Sequence, residues 1–143
     1  EGDGNQIARW IAAGHVSGAA EVDLAETARF CSPHGDDGTL GERARVYLDV
    51  NCAMCHRPNG PGNASIDLRY GTSLANTGLM GADPSQGSLG VAHAKLVAAG
   101  SPGTSLLLHR VETLGAGRMP TIGSNVVDEQ AVDLLTQWIK SLN

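Results

Sequence analysis

The chain has 143 residues with a formal net charge of −5, and hydrophobic residues make up 41% of it, which is enough material for one globular domain. Lysine and arginine total 10 against 15 acidic residues, so the chain lacks the basic stripe of a nucleic-acid-binding protein. No apolar run approaches the roughly 20 residues of a membrane-spanning helix, and neither a P-loop nor a glycine-rich dinucleotide fingerprint occurs.

The N-terminal part of the chain is the least regular in its pattern. Residues 5–13 predict a short helix, because their apolar side chains fall on one side. The segment 32–38, Ser-Pro-His-Gly-Asp-Asp-Gly, has the composition of a linker. We therefore expect residues 1–38 to form an extension packed against a domain that covers residues 39–143.

A capping box marks the start of the next predicted helix. Thr39 is followed three residues later by Glu42, and such a pair of side chains satisfies free backbone N–H groups at a helix start. We expect the helix to run from about Leu40 into Asn51. Apolar residues recur on one of its sides, at Leu40, Ala44, Tyr47, Leu48 and Val50.

The predicted helix leads into the sequence Cys52-Ala53-Met54-Cys55-His56. C-x-x-C-H is the attachment signature of c-type haem. Two thiols three positions apart on a helical turn can each add to one vinyl group of the porphyrin, and the adjacent histidine can bind the iron through Nε2. We therefore predict one haem c bound through Cys52 and Cys55 with His56 as proximal ligand, since no second such motif occurs.

Two other uses of these cysteines stay open at this point. A thioredoxin-like redox pair needs a βαβ setting, which the surrounding sequence does not predict. A zinc site needs two further ligands at paired spacing, and Cys31 with His34 could supply them. Otherwise Cys31 is a leftover thiol, for which burial is the commonest outcome and an intermolecular disulfide is a further option.

The segments that follow the motif predict two loops and a helix. Residues 57–62, Arg-Pro-Asn-Gly-Pro-Gly, predict a loop, and one of its carbonyls could accept the Nδ1 proton of His56. Ser101 and Pro102 predict the N-cap and first residue of a helix. We expect His109, on that helix, to lie at the surface or beside a haem propionate.

The C-terminal part contains a methionine loop and the clearest helix of the chain. Glycine and proline exclude a long regular element over residues 115–123, so Met119 has no helical stripe to join. Its thioether is a soft, neutral ligand suited to haem iron. Asp128 predicts the N-cap of the last helix. Its apolar stripe consists of Ala131, Leu134, Leu135, Trp138, Ile139 and Leu142.

A capped helix leading into C-x-x-C-H, a Met-Pro loop and a closing amphipathic helix resemble a class I cytochrome c over residues 39–143. Residues 43–52, 67–70 (Asp-Leu-Arg-Tyr) and 118–120 (Arg-Met-Pro) resemble bacterial cytochrome c domains that often close a longer polypeptide. The resemblance implies a mainly α fold in which the first and last helices cross. It also implies a covalent haem c with His/Met ligation, in which Met119 is distal.

Further site residues follow from the resemblance and from position. Pro61 is assigned, by resemblance, the carbonyl that holds the proximal imidazole. Arg69, and after it Arg118 and Arg57, are candidates to donate to the haem propionates, and the Trp138 indole is either a further donor or packing between helices. The other candidate distal ligands are Met80, His109, His93, His15 and His34. The expected pocket wall consists of Leu96, Val97, Leu106, Leu107 and Ile122.

These features predict a monohaem electron carrier rather than an enzyme, with iron cycling between Fe(II) and Fe(III). We expect a monomer in the periplasm, or an equivalent exported compartment, that docks transiently with redox proteins. The negative charge favours partners with a basic patch or a mainly apolar surface. Two alternatives stay open: the electron-accepting module of a larger dehydrogenase, and a haem site with an open sixth position that acts as a peroxidase or ligand sensor.

Overall fold

The computed structural model describes residues 5–17, 23 and 28–143, and the chain divides into two compact units between Phe30 and Cys31. In the first unit, α1 spans Gln6–Ala12 and confirms the short helix expected there. The Asn5 side chain caps it by accepting the Ile7 N–H at 2.9 Å. The remaining helices belong to the second unit.

In the second unit, α2 spans Leu40–Cys52 and begins at the predicted capping box. The Glu42 carboxylate accepts the Thr39 N–H at 2.8 Å, and the Thr39 hydroxyl accepts the Glu42 N–H at 3.2 Å. These bonds lower the pKa of the Glu42 carboxyl. The helix continues one residue beyond the predicted end, so the first cysteine of the motif belongs to its last turn.

The helix predicted from Pro102 is interrupted, which corrects the expectation that it is continuous. Pro102–Thr104 forms one 3-10 turn, and α3 spans Leu106–Glu112. The Ser101 side chain makes no capping bond. The cause is competition for backbone hydrogen bonds from the segment that precedes the helix. The Lys95 N–H donates to Thr104 O at 2.9 Å, and Lys95 O accepts the Leu106 N–H at 2.8 Å, so these groups are not available to a continuous helix.

The last helix, α4, spans Glu129–Ser141 and is capped by Asp128, whose carboxylate accepts the Ala131 N–H at 3.0 Å. Its buried stripe packs against α2 and α3 and supplies five of the fourteen buried residues described for the core. Strand-like pairing in the described residues is limited to two isolated bridges, Met80 with Val97 and Lys95 with Ser105. The described part of the chain contains no helix long and apolar enough to cross a membrane.

The segment 31–38 is attached to the start of α2 and to the N-cap of α4. The Arg43 Nε donates to Pro33 O at 3.1 Å. The His34 ring lies edge-on to the Tyr47 ring, with centroids 6.3 Å apart, and its Nε2 is 3.6 Å from an Asp128 carboxylate oxygen. This segment therefore folds as part of the second unit.

We expect Leu135→Ala to lower the free energy of unfolding by about 2–5 kcal/mol, because a fully buried leucine of α4 in the core leaves a cavity when truncated. Chemical denaturation of the second unit's helices, followed by circular dichroism, measures this loss. Leu114→Ala is the matched control, since Leu114 is 47% exposed. A similar loss in both variants would contradict the assignment of the core to α4.

Candidate functional site

A cavity of about 350 Å³ opens between the end of α2, the loop that follows it, α3 and the loop around Met119. Cys52, Cys55, His56 and Met119, which lie far apart in the sequence, all line it. Most of its wall is apolar, with Leu68, Leu79, Leu96, Leu106, Leu107 and Val111 among the lining residues. Four of the five residues expected in the wall are present. Val97 is the exception, because it is fully buried in the core instead.

The proximal wall is a single tight turn that continues α2. The carbonyl of Cys52 accepts the N–H of Cys55 at 3.1 Å and that of His56 at 2.9 Å. This turn brings the two thiols and the imidazole to the same cavity. Burial, and secondly the neighbouring Cys55, raise the pKa of the Cys52 thiol to about 12. Reactive redox cysteines have lowered pKa values, so this environment disfavours the thioredoxin-like interpretation.

Burial lowers the pKa of the His56 imidazole, because it disfavours the charged form. Its carbonyl accepts the Leu68 N–H at 2.9 Å. Its Nδ1 is buried and has no hydrogen-bond partner in the described residues. Pro61 lines the cavity as expected, but its carbonyl does not accept the Nδ1 proton in this structure.

Gly62 is a residue of the proximal wall that the sequence analysis missed. A Cβ at this position would lie 2.8 Å from His56 Nδ1 and 2.9 Å from Cys55 O, so a larger residue does not fit beside the ring. The Gly62 N–H also donates to Cys55 O at 3.0 Å. The Gly-Pro-Gly sequence predicted a loop there, but not the close approach of its backbone to the imidazole.

Of the candidate distal ligands, Met119 is the one that lines the cavity. Its N–H donates to Arg110 O at 2.9 Å. Met80 is partly buried and packs against the core beside Val97. The Nε2 of His109 lies 2.9 Å from Gly103 O, outside the cavity lining.

The three remaining histidines are also outside the described lining. His15 belongs to the first unit and is exposed. His34 contacts Tyr47 and Asp128, and His93 is exposed in a loop with φ 54°.

None of the residues expected to donate to propionates lines the cavity. Arg69 is exposed and pairs with the Asp67 carboxylate through two bonds of 2.9 and 2.7 Å. Arg118 donates to the carbonyls of Leu114 and Thr121, and Arg57 is exposed. Trp138 is buried in the α4 stripe, where it serves packing.

The Asp-Leu-Arg-Tyr segment fastens the loop after the motif to α2. The buried Arg45 side chain donates to the carbonyls of Arg69 and Thr72 at 2.6 and 2.8 Å. One turn further along α2, the Asp49 carboxylate accepts the Tyr70 N–H at 2.9 Å. These bonds position Leu68, which lines the cavity. In this structure the segment therefore holds the cavity wall in place through hydrogen bonds to α2.

Arg110 is the arginine that does line the cavity, and the sequence analysis did not single it out. The sequence spacing does indicate that Arg110 faces the pocket, because residue 110 lies four positions after Leu106 and three after Leu107. Residues at these spacings share one face of a helix. Since both leucines were expected in the pocket wall, the same face of α3 carries Arg110 to it.

The zinc interpretation finds no support in the part of the chain that the structure describes. No group of three or more His, Cys, Asp or Glu side chains there could hold a metal ion. Cys31 is a partly buried free thiol and does not line the cavity.

The family model for cytochrome c matches residues 42–143, and the chain belongs to that family. No curated protein and no solved structure matches the chain significantly. The family binds haem c covalently and transfers electrons through it. The predicted fold class, a mainly α class I cytochrome c domain with an N-terminal extension, is confirmed.

The residues around the cavity fit a covalently bound haem. Two thiols and an imidazole with a buried, unpartnered Nδ1 lie on one wall. The rest of the wall is largely apolar and contains a thioether. This donor set is typical of haem iron ligation rather than of a hard cation.

We expect Gly62→Ala to destabilise the holoprotein by about 1–3 kcal/mol, because the added methyl group collides with the His56 ring and with Cys55 O. Thermal unfolding with covalent haem content as a second readout measures the effect. Gly71→Ala is the control, since no atom lies within 4 Å of a Cβ there. Equal stability of the two variants would contradict the close packing of Gly62 on the proximal ring.

Proposed function

We propose that the chain is a monohaem electron carrier with His56 and Met119 as axial ligands. The observation that supports this most strongly is the shared cavity of Cys52, Cys55, His56 and Met119. A haem c bound there supplies a one-electron Fe(II)/Fe(III) couple. One electron enters from a donor and one leaves to an acceptor, with no proton or group transferred.

The side chains of the site divide this work. The two thiols anchor the group through thioether bonds, and the turn after Cys52 sets the His56 imidazole beside them. A neutral Met119 thioether favours Fe(II) more than a second imidazole does, which raises the reduction potential. The leucine-rich wall excludes water from the site, which also tunes the potential.

The lining supports a carrier rather than a catalytic haem site. It is built from apolar side chains, candidate iron ligands, a few neutral polar residues and one arginine. With Met119 on the iron, the sixth position is filled, whereas peroxidase and sensor chemistry require it to be open.

We also propose an exported, periplasmic location, where covalent haem attachment takes place, and transient docking of a monomer with other redox proteins. Met54 and Ile122 line the cavity and are 58% and 71% exposed. These side chains give its mouth an apolar character, although the whole chain carries a net charge of −5. A partner with a mainly apolar docking surface therefore suits this region better than one that depends on a basic patch.

We expect Met119→His to lower the reduction potential by about 0.1 V or more, within the ~0.8 V range over which axial ligands act. A second imidazole stabilises Fe(III) relative to a thioether. Spectroelectrochemical titration of the purified holoprotein measures the potential. Met80→Leu is the control and should keep the wild-type potential, because Met80 lies outside the cavity lining. An unchanged potential in Met119→His would show that Met119 is not the ligand.

A further inference from the structure

We propose that Arg110 is the positioning residue for the distal ligand. It holds the Met119 loop against the cavity through hydrogen bonds made by its backbone carbonyl and by its guanidinium. The inference rests on the proposed ligation by Met119. In this proposal Arg110 affects how long Met119 stays on the iron, but Arg110 does not contact the iron itself.

The first contact is made by the backbone of Arg110. Its carbonyl accepts the N–H of Met119 at 2.9 Å. Arg110 belongs to α3, whose residues Leu106, Leu108 and Val111 are buried. The amide of the ligand is therefore bonded to a helix that is fixed in the core, although Met119 itself lies in a loop.

The second set of contacts is made by the guanidinium of the same residue. Its Nη1 donates to Gly117 O at 2.8 Å, two residues before the methionine. Its Nη2 donates to the carbonyls of Gln86 and Gly87 at 2.9 and 3.1 Å. One side chain thus joins the methionine loop to the loop around residues 84–90.

The two loops also pack closely against each other, at Gly117 and Leu89. Gly117 has φ +87°, and a Cβ at that position would collide with Leu89 Cδ2 and lie 3.4 Å from Arg110 Nη1. Gly117 therefore has a backbone conformation that favours glycine, and a side chain there would have to displace the end of the Leu89 side chain. Arg110 and Leu89 both contact the path of the chain into Met119.

The geometry of these bonds requires arginine. A planar guanidinium presents several donors in fixed directions, whereas a lysine ammonium is a single point on a flexible stem. The acceptors are all neutral carbonyls, and no carboxylate in the described part of the chain pairs with Arg110. Arg110 thus connects the two loops by hydrogen bonds and does not form a surface ion pair.

Loss of the guanidinium hydrogen bonds should release the Met119 loop and increase the fraction of molecules in which the thioether is off the iron. Binding of CO to the ferrous holoprotein reports that fraction, because the apparent affinity scales with the population of the open form. We expect Arg110→Met and Arg110→Lys to raise the apparent CO affinity about 10-fold or more, since each loses hydrogen bonds made by a charged donor. Both should also weaken the near-infrared absorption of the ferric sulfur–iron bond.

Two further variants make the test specific. Lys140→Met removes one positive charge from an exposed position on α4, and it should leave CO affinity and the sulfur–iron absorption at wild-type values. Gly117→Ala disturbs the same loop without altering Arg110, and it should raise the CO affinity as the Arg110 variants do.

Each contrary result has a distinct meaning. Wild-type behaviour of a folded Arg110→Lys beside a changed Arg110→Met would show that charge alone matters and would overturn the positioning role. Loss of cooperative unfolding in both Arg110 variants would also overturn it, because a residue that holds one loop is not required by the α2–α4 core. A wild-type protein without sulfur–iron absorption would refute the ligation by Met119. Normal wild-type absorption with unchanged Arg110 variants would refute the inference alone.

Discussion

The packing of α4 on α2 is the contact on which the candidate site depends. Both helices bury apolar stripes against each other, and α2 ends at Cys52. The turn that follows bonds back to the carbonyl of Cys52. Fixing α2 in the core therefore also fixes the direction in which Cys55 and His56 leave it. The position of the proximal wall therefore depends on the packing of the core.

The distal wall is held by different forces. Met119 lies in a loop, and its position depends on hydrogen bonds to Arg110 and on the close contact of Gly117 with Leu89. Hydrogen bonds between loops open at a lower free energy than a packed helix pair unfolds. A rigid proximal side and a more easily released distal side follow from this difference. On the proposed ligation, the hydrogen bonds of Arg110 would control how long the Met119 sulfur stays on the iron.

Features set within one helix or one motif were predictable from the sequence, whereas those set by contacts between segments or between particular side chains were not. The capping pair Thr39 and Glu42 and the α4 stripe specify their helices locally, and the chemistry of C-x-x-C-H and of a methionine in a glycine-rich loop identified the cavity-lining donors. The break before α3 was missed because Lys95, nine residues before Thr104, takes the backbone bonds of Thr104 and Leu106. Arg69 was expected near a propionate, yet Asp67 two residues earlier neutralises it.

We propose that haem iron in this chain has His56 and the Met119 sulfur as its two axial ligands. X-ray absorption at the iron edge of the purified ferric protein tests it most directly, because sulfur and nitrogen ligands differ in bond length and scattering. We expect one sulfur in the iron coordination shell, together with the porphyrin and imidazole nitrogens. A shell of nitrogen and oxygen alone would contradict it, and would return the sixth position to a second histidine, to water or to an open site.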